Sequence, residues 1–77
     1  MSAYYRVSGL VIYHNEKGHP VRIPQGQTIQ IDEQDFVKNG VRYAAVMRWM
    51  DSNGHEWAED LEELVWAHYV RRELTPV

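Results

Sequence analysis

The chain contains no cysteine. A disulfide framework, a thiol nucleophile and a cysteine-ligated zinc site are therefore excluded together. The absence suits a reducing compartment, and the expected location is cytoplasmic. No run approaches the roughly 18–20 apolar residues of a membrane-spanning helix. Met1-Ser2-Ala3-Tyr4-Tyr5-Arg6 leads straight into a strand pattern, so neither a membrane contact nor a signal peptide is expected. Basic residues are few, 8 Lys and Arg against 11 Asp and Glu, giving a net charge of −3. A dedicated binder of nucleic-acid backbone carries a basic stripe, and none is visible here. Proline and glycine are too sparse for a linker or a low-complexity tract. What remains is a globular composition, 44% hydrophobic and 25% charged over 77 residues. A single small domain spanning residues 1–77 is expected, burying roughly 60–65% of its unfolded surface.

The organising stretch runs from Val41 to Leu74. In Val41–Met50 the side chains alternate with period two. Val41, Tyr43, Ala45, Met47 and Trp49 form an apolar face, while Arg42, Ala44, Val46, Arg48 and Met50 form a mixed one. Asp51-Ser52-Asn53-Gly54 has a turn composition, after which His55–Ala58 can return antiparallel. From Asp60 the period changes to that of a helix reaching Glu73. Leu61, Leu64, Val65, His68 and Tyr69 cover one side of it. Asp60 and Glu63 have capping-box spacing, Arg71 and Arg72 suit the C-terminal dipole, and Thr75-Pro76 ends the helix.

Upstream, Tyr4–Tyr13 reads as one strand with a bend or bulge at Gly9. Asn15-Glu16-Lys17-Gly18 is a turn, Val21–Ile23 a short strand opened by Pro20, and Pro24-Gln25-Gly26 a second turn. Gln27–Ile31 alternates, Asp32-Glu33-Gln34-Asp35 reads as a polar crossing, and Phe36-Val37-Lys38 meets Val41 across Asn39-Gly40, a strong hairpin signal. The expected core is Val7, Val11, Ile29, Ile31, Tyr43, Met47, Trp49, Trp57, Leu61, Leu64 and Val65.

These elements predict an α+β fold: a small curved antiparallel sheet, or a partly open SH3-like β-barrel, of five to six strands with one C-terminal α-helix. The long strand, tight turn and short strand ending in Trp57-Ala58-Glu59-Asp60-Leu61 resemble the back half of an SH3-like or Tudor-like barrel. The resemblance covers about Val41–Leu61.

Candidate chemistry is thin. His14, His19, His55 and His68 lack metal-ligand spacing, and no metal or other cofactor is expected. The carboxylates at Asp32, Glu33 and Asp35, and at Glu59, Asp60, Glu62 and Glu63, fall in a polar loop and a first helical turn, where solvation holds them ionised rather than poised for acid–base work. Ser2, Ser8 and Ser52 have no histidine–acid partners in pattern. The chain is expected not to be an enzyme.

Two features point to a docking surface. Trp66, Val70 and Leu74 form a second helical stripe, opposite the one assigned to the core; it suits a protein partner or a homodimer, or equally a sandwiched helix in which Trp66 completes the core. Beside it, Glu59, Asp60, Glu62 and Glu63 belong to an acidic run without Lys or Arg, able to meet a basic surface. The expected function is thus a protein-binding module acting by surface occupancy, as an inhibitor, adaptor or assembly factor. A short acidic chain would suit a phage or mobile-element product that blocks a host or defence complex. The alternative is a small nucleic-acid-associated regulator, with Arg6, Arg22, Arg42 and Arg48 beside Tyr4 on a sheet face.

Overall fold

The computed structural model describes residues 2–77. Seven strands run in chain order: β1 (Ser2–Val7), β2 (Val11–His14), β3 (Pro20–Ile23), β4 (Thr28–Lys38), β5 (Val41–Met50), β6 (Glu56–Glu62) and β7 (Leu74–Pro76). Five of them form an antiparallel sheet in the order β6-β5-β4-β1-β7, and β2 pairs with β3 in a separate hairpin. Between β6 and β7 lies a short helical segment, α-helical over Glu63–Val65, π-helical over Trp66–Val70 and 3-10 over Arg71–Glu73. The five-stranded sheet does not close on itself: β6 and β7 remain its two edges. The expected small antiparallel sheet with one C-terminal helical segment is present; it does not close into a barrel, so the alternative of a partly open SH3-like barrel is not established.

Asn39 and Gly40 take φ of 53° and 77°, the backbone of a tight hairpin whose twist matches its strands. Lys38 thereby faces Val41, and the register runs on through Ile31 opposite Met47 and Ile29 opposite Trp49. Asp32–Asp35 is not a crossing. It belongs to the same long β4, and the register shift between Glu33 and Phe36 absorbs one extra residue as a bulge. The first strand, by contrast, divides in two. The chain bends at Ser8-Gly9 and passes from the large sheet to the hairpin. A Cβ at Gly9 would meet the Glu73 carboxylate, so a larger residue there would require that side chain to swing aside.

The hairpin covers the inner face of the large sheet. Val11, Tyr13, Val21 and Ile23 come from the hairpin; Val7, Ile29, Ile31, Ala45, Met47 and Leu61 come from the sheet. Together with Trp66 and Val70 they make one core. Burying each large aliphatic side chain contributes about 1.5–3 kcal/mol.

Asp60, Leu61 and Glu62 do not start a helix. They extend β6, with Leu61 opposite Ala45 and Asp60 opposite Val46. β5 is long enough to offer these residues a strand partner, and ladder pairing outweighs their helical spacing. The helical segment therefore starts at Glu63, and Glu62 at its N-cap makes no side-chain capping bond. Its inward side is the stripe expected outside: Trp66 is 8% exposed and Val70 fully buried, while Leu64 is 69% exposed and Tyr69 and His68 face solvent. Leu74 is half-buried in β7. Trp57, expected in the core, is exposed instead.

Trp66→Ala should accordingly cost about 3–5 kcal/mol, while Leu64→Ala should stay within about 0.5 kcal/mol of the parent. Urea denaturation of the two variants checks this. A Leu64→Ala chain weaker than the Trp66→Ala chain would reverse the assignment of the inward side.

Candidate functional site

The docking stripe expected at Trp66, Val70 and Leu74 is not a surface, because its tryptophan and valine fill the core against β2. Exposed aromatic surface gathers instead at the far end of the large sheet, where β5 turns into β6. Trp49 and Trp57 oppose each other in register, with ring centroids 6.0 Å apart and planes inclined by 14°. His55 meets the Trp57 ring edge-on at 4.5 Å. The Trp57 indole Nε1–H donates to Asp51 Oδ2 at 3.0 Å. Trp57 is 45% exposed and Met50 51%.

Asp51 performs two tasks. Its Oδ1 accepts the backbone amides of Asn53 at 2.9 Å and His55 at 3.0 Å, closing the loop, while Oδ2 holds the indole. These bonds, the indole first, hold its carboxyl below the ordinary value of 3.8. The loop between β2 and β3 repeats the design: Asn15 Oδ1 accepts the amides of Lys17 and His19, each at 3.0 Å. Both loops read Asx-x-x-Gly-His, at residues 15–19 and 51–55, and both glycines take positive φ. This repeat was the available signal for the site.

The two loops flank a groove of about 630 Å³ floored by Trp49 and Trp57 and walled by Pro20, Arg22, Asp51 and Glu59. Asn15 Nδ2 donates to Glu59 Oε1 at 3.0 Å, tying the hairpin to β6 at its head. Near Glu59 the Tyr13 hydroxyl is buried with no hydrogen-bond partner among the described residues. Burial, reinforced by Glu59, pushes the phenol well above its usual range and keeps it neutral. On the opposite face of the sheet a shallower groove of about 500 Å³ runs past Tyr4, Gln30, Arg48 and Met50 to reach Trp57 from behind.

The acids of the run separate. Glu59 and Asp60 lie in consecutive positions of a strand and face opposite sides. Glu59 engages Asn15, and Asp60 accepts from Lys38, which also lies 4.0 Å from Glu16. Hydrogen bonding to Asp60 raises the Lys38 pKa. Glu62 is half-buried and Glu63 exposed. The arginines separate too. Tyr4 and Arg48 share one row of the outer face through Gln30, and Arg6 lies on the same face of β1. Arg22 belongs to the other sheet, because β3 pairs only with β2. Arg42 is held by both carboxylate oxygens of Asp35, at 2.8 and 2.9 Å. No three metal-capable side chains converge among the described residues.

Set against protein-family models, curated proteins and solved structures, the chain matches none.

Asp51→Asn should keep its loop closed, because Asn15 does the same work in the sister loop, but should release the indole. Hydrogen exchange of the Trp57 Nε1 proton, followed by NMR, should then speed up. The parent should also be more acid-sensitive. A carboxyl more acidic in the folded chain contributes stability above 3.8, its ordinary value, and loses that contribution as pH falls through the lower folded value. Thermal melts at falling pH should drop more steeply for the parent than for Asp51→Asn.

Proposed function

We propose that the chain is a non-enzymatic binding module that occupies a surface of a protein partner, using the Trp57 end of its sheet. One observation carries this reading: Trp57 is nearly half exposed, yet three neighbours hold it in place. A tryptophan already ordered before contact loses little conformational entropy on binding, so more of its buried area becomes affinity. Met50 beside it and Tyr4 across the outer groove add side-chain types enriched at interface centres. The role of inhibitor, adaptor or assembly factor follows from occupancy without chemistry. The carboxylates nearest the aromatic groove support that reading: Asp51 and Glu59 are engaged in holding loops and strands together, and Asp51 is pushed away from the proton affinity that acid–base work requires.

The nucleic-acid reading draws less support. Tyr4, Arg6 and Arg48 remain together on the outer face, but Arg42 is neutralised by Asp35, Arg22 lies elsewhere, and Asp32, Glu56 and Asp60 share the field. Steeply salt-dependent DNA binding would reverse this preference.

Affinity capture with the parent and with Trp57→Ala tests the proposal. The variant should still fold cooperatively, since its ring is outside the core, melting lower only by the lost indole–Asp51 bond and ring contacts, and should lose the captured protein. A loss of about 2 kcal/mol or more in affinity is the magnitude expected of a central tryptophan. Identical capture by both chains would place the contact away from Trp57.

A further inference from the structure

We infer that β6 accepts an extended, lysine- or arginine-bearing segment of the partner as an additional strand, an inference that rests on the protein-binding reading above. β6 is the long edge of the large sheet: it offers seven residues and pairs with β5 alone, whereas the opposite edge, β7, offers three. A strand bonded on one side presents a row of backbone donors and acceptors to a newcomer on the other.

Charge selects the occupant. From Asp51 to Val70 the chain holds Asp51, Glu56, Glu59, Asp60, Glu62 and Glu63 with no Lys or Arg. Glu59 and Asp60 have hydrogen-bonded partners in Asn15 and Lys38, while Glu56, Glu62 and Glu63 carry no ion pair among the described residues. A second copy of the chain is a poor occupant. Antiparallel pairing of β6 with itself about its midpoint would set Glu59 against Glu59 and Glu56 against Glu62, and like charges opposite one another destabilise a ladder. A basic strand reverses that sign at each place. Alternate side chains would meet Trp57 and Glu59 on the inner face and Glu56 and Asp60 on the outer. The Trp57 ring adds a cation–π surface at the head of the strand. Backbone pairing supplies attachment, and the acids supply preference for cations over other extended segments.

The probe is an acetylated, amidated peptide of four Lys-Thr repeats, titrated into the isotope-labelled full chain and followed by NMR, with the Glu-Thr counterpart as control. Expected are saturating shifts at the β6 amides and cross-strand contacts from β6 to the peptide. Added salt should weaken both, and the double variant Glu56→Lys with Glu62→Lys should weaken binding about fivefold. If that variant melts early, the salt series and the acidic peptide decide in its place. No saturating shift at about 1 mM peptide, or an equal response to the acidic peptide, overturns the inference. So do shifts confined to the groove between the two loops, with β6 unmoved. Trp57-dependent capture without any β6 response would remove the added strand and leave the binding module standing. A β6 response with Trp57-independent capture would support the added strand and displace the site assigned to Trp57.

Discussion

Ala45 faces Leu61 across the β5–β6 ladder, and the C-terminal third of the molecule depends on that pairing. Because the ladder continues past Ala58 to Glu62, the helical segment begins three residues later than Asp60. That delay decides which of its two apolar stripes turns inward. Leu61 is spent in the strand, so it no longer phases the helix, and Trp66 and Val70 close the core between the hairpin and the large sheet. The same extension lengthens the open edge of the sheet and spreads the acidic run over two faces instead of gathering it on one helical turn.

The exposed end of the molecule is ordered by hydrogen bonds more than by burial. Asp51 and Asn15 occupy equivalent positions in two loops of the same form, yet their free side-chain atoms do different things. The aspartate accepts from an indole, and the asparagine donates to Glu59 across the gap between the sheets. Gln27 adds a third tie, its Nε2 reaching the carbonyl of Met50 at 2.8 Å. An open sheet gains a stiff rim in this way. The proposed contact surface consequently sits on a frame that needs no reorganisation to present it.

The strands were legible where side-chain alternation and turn chemistry agree. Asn39-Gly40 identified its hairpin, Val41–Met50 its two faces, and Val7, Val11, Ile29, Ile31, Tyr43 and Met47 their places in the core. The misreadings have physical causes. Asp60-Leu61-Glu62 suits a helix locally, and only the neighbouring strand overrides it. Two stripes on one short helix are equivalent by periodicity, so the inward side depends on where the segment starts. Asp32–Asp35 looks like a loop because a bulge and an exposed face both favour polar residues. Trp57 alternates with the core but lies beyond the reach of the hairpin that covers it. The candidate site was invisible as chemistry because its parts are a turn acid and two tryptophans of different strands. Only the Asx-x-x-Gly-His repeat marked it.

β1 pairs with β7, setting Tyr5 opposite Pro76, and Ser8 reinforces the junction by donating twice to the Glu73 carbonyl. β1 thus has one of its two neighbours far away in sequence, Ser8 and Glu73 being 65 residues apart. The β4–β5–β6 meander can form from contacts close in sequence, but β1 reaches its full complement only when β7 has also joined the sheet. Folding should therefore be slow for so small a chain, in the millisecond-to-second range of folds ruled by distant pairings. Until the distant pairings form, the meander would stand with an open edge, and the charged residues along β6 would keep that edge from joining another like itself.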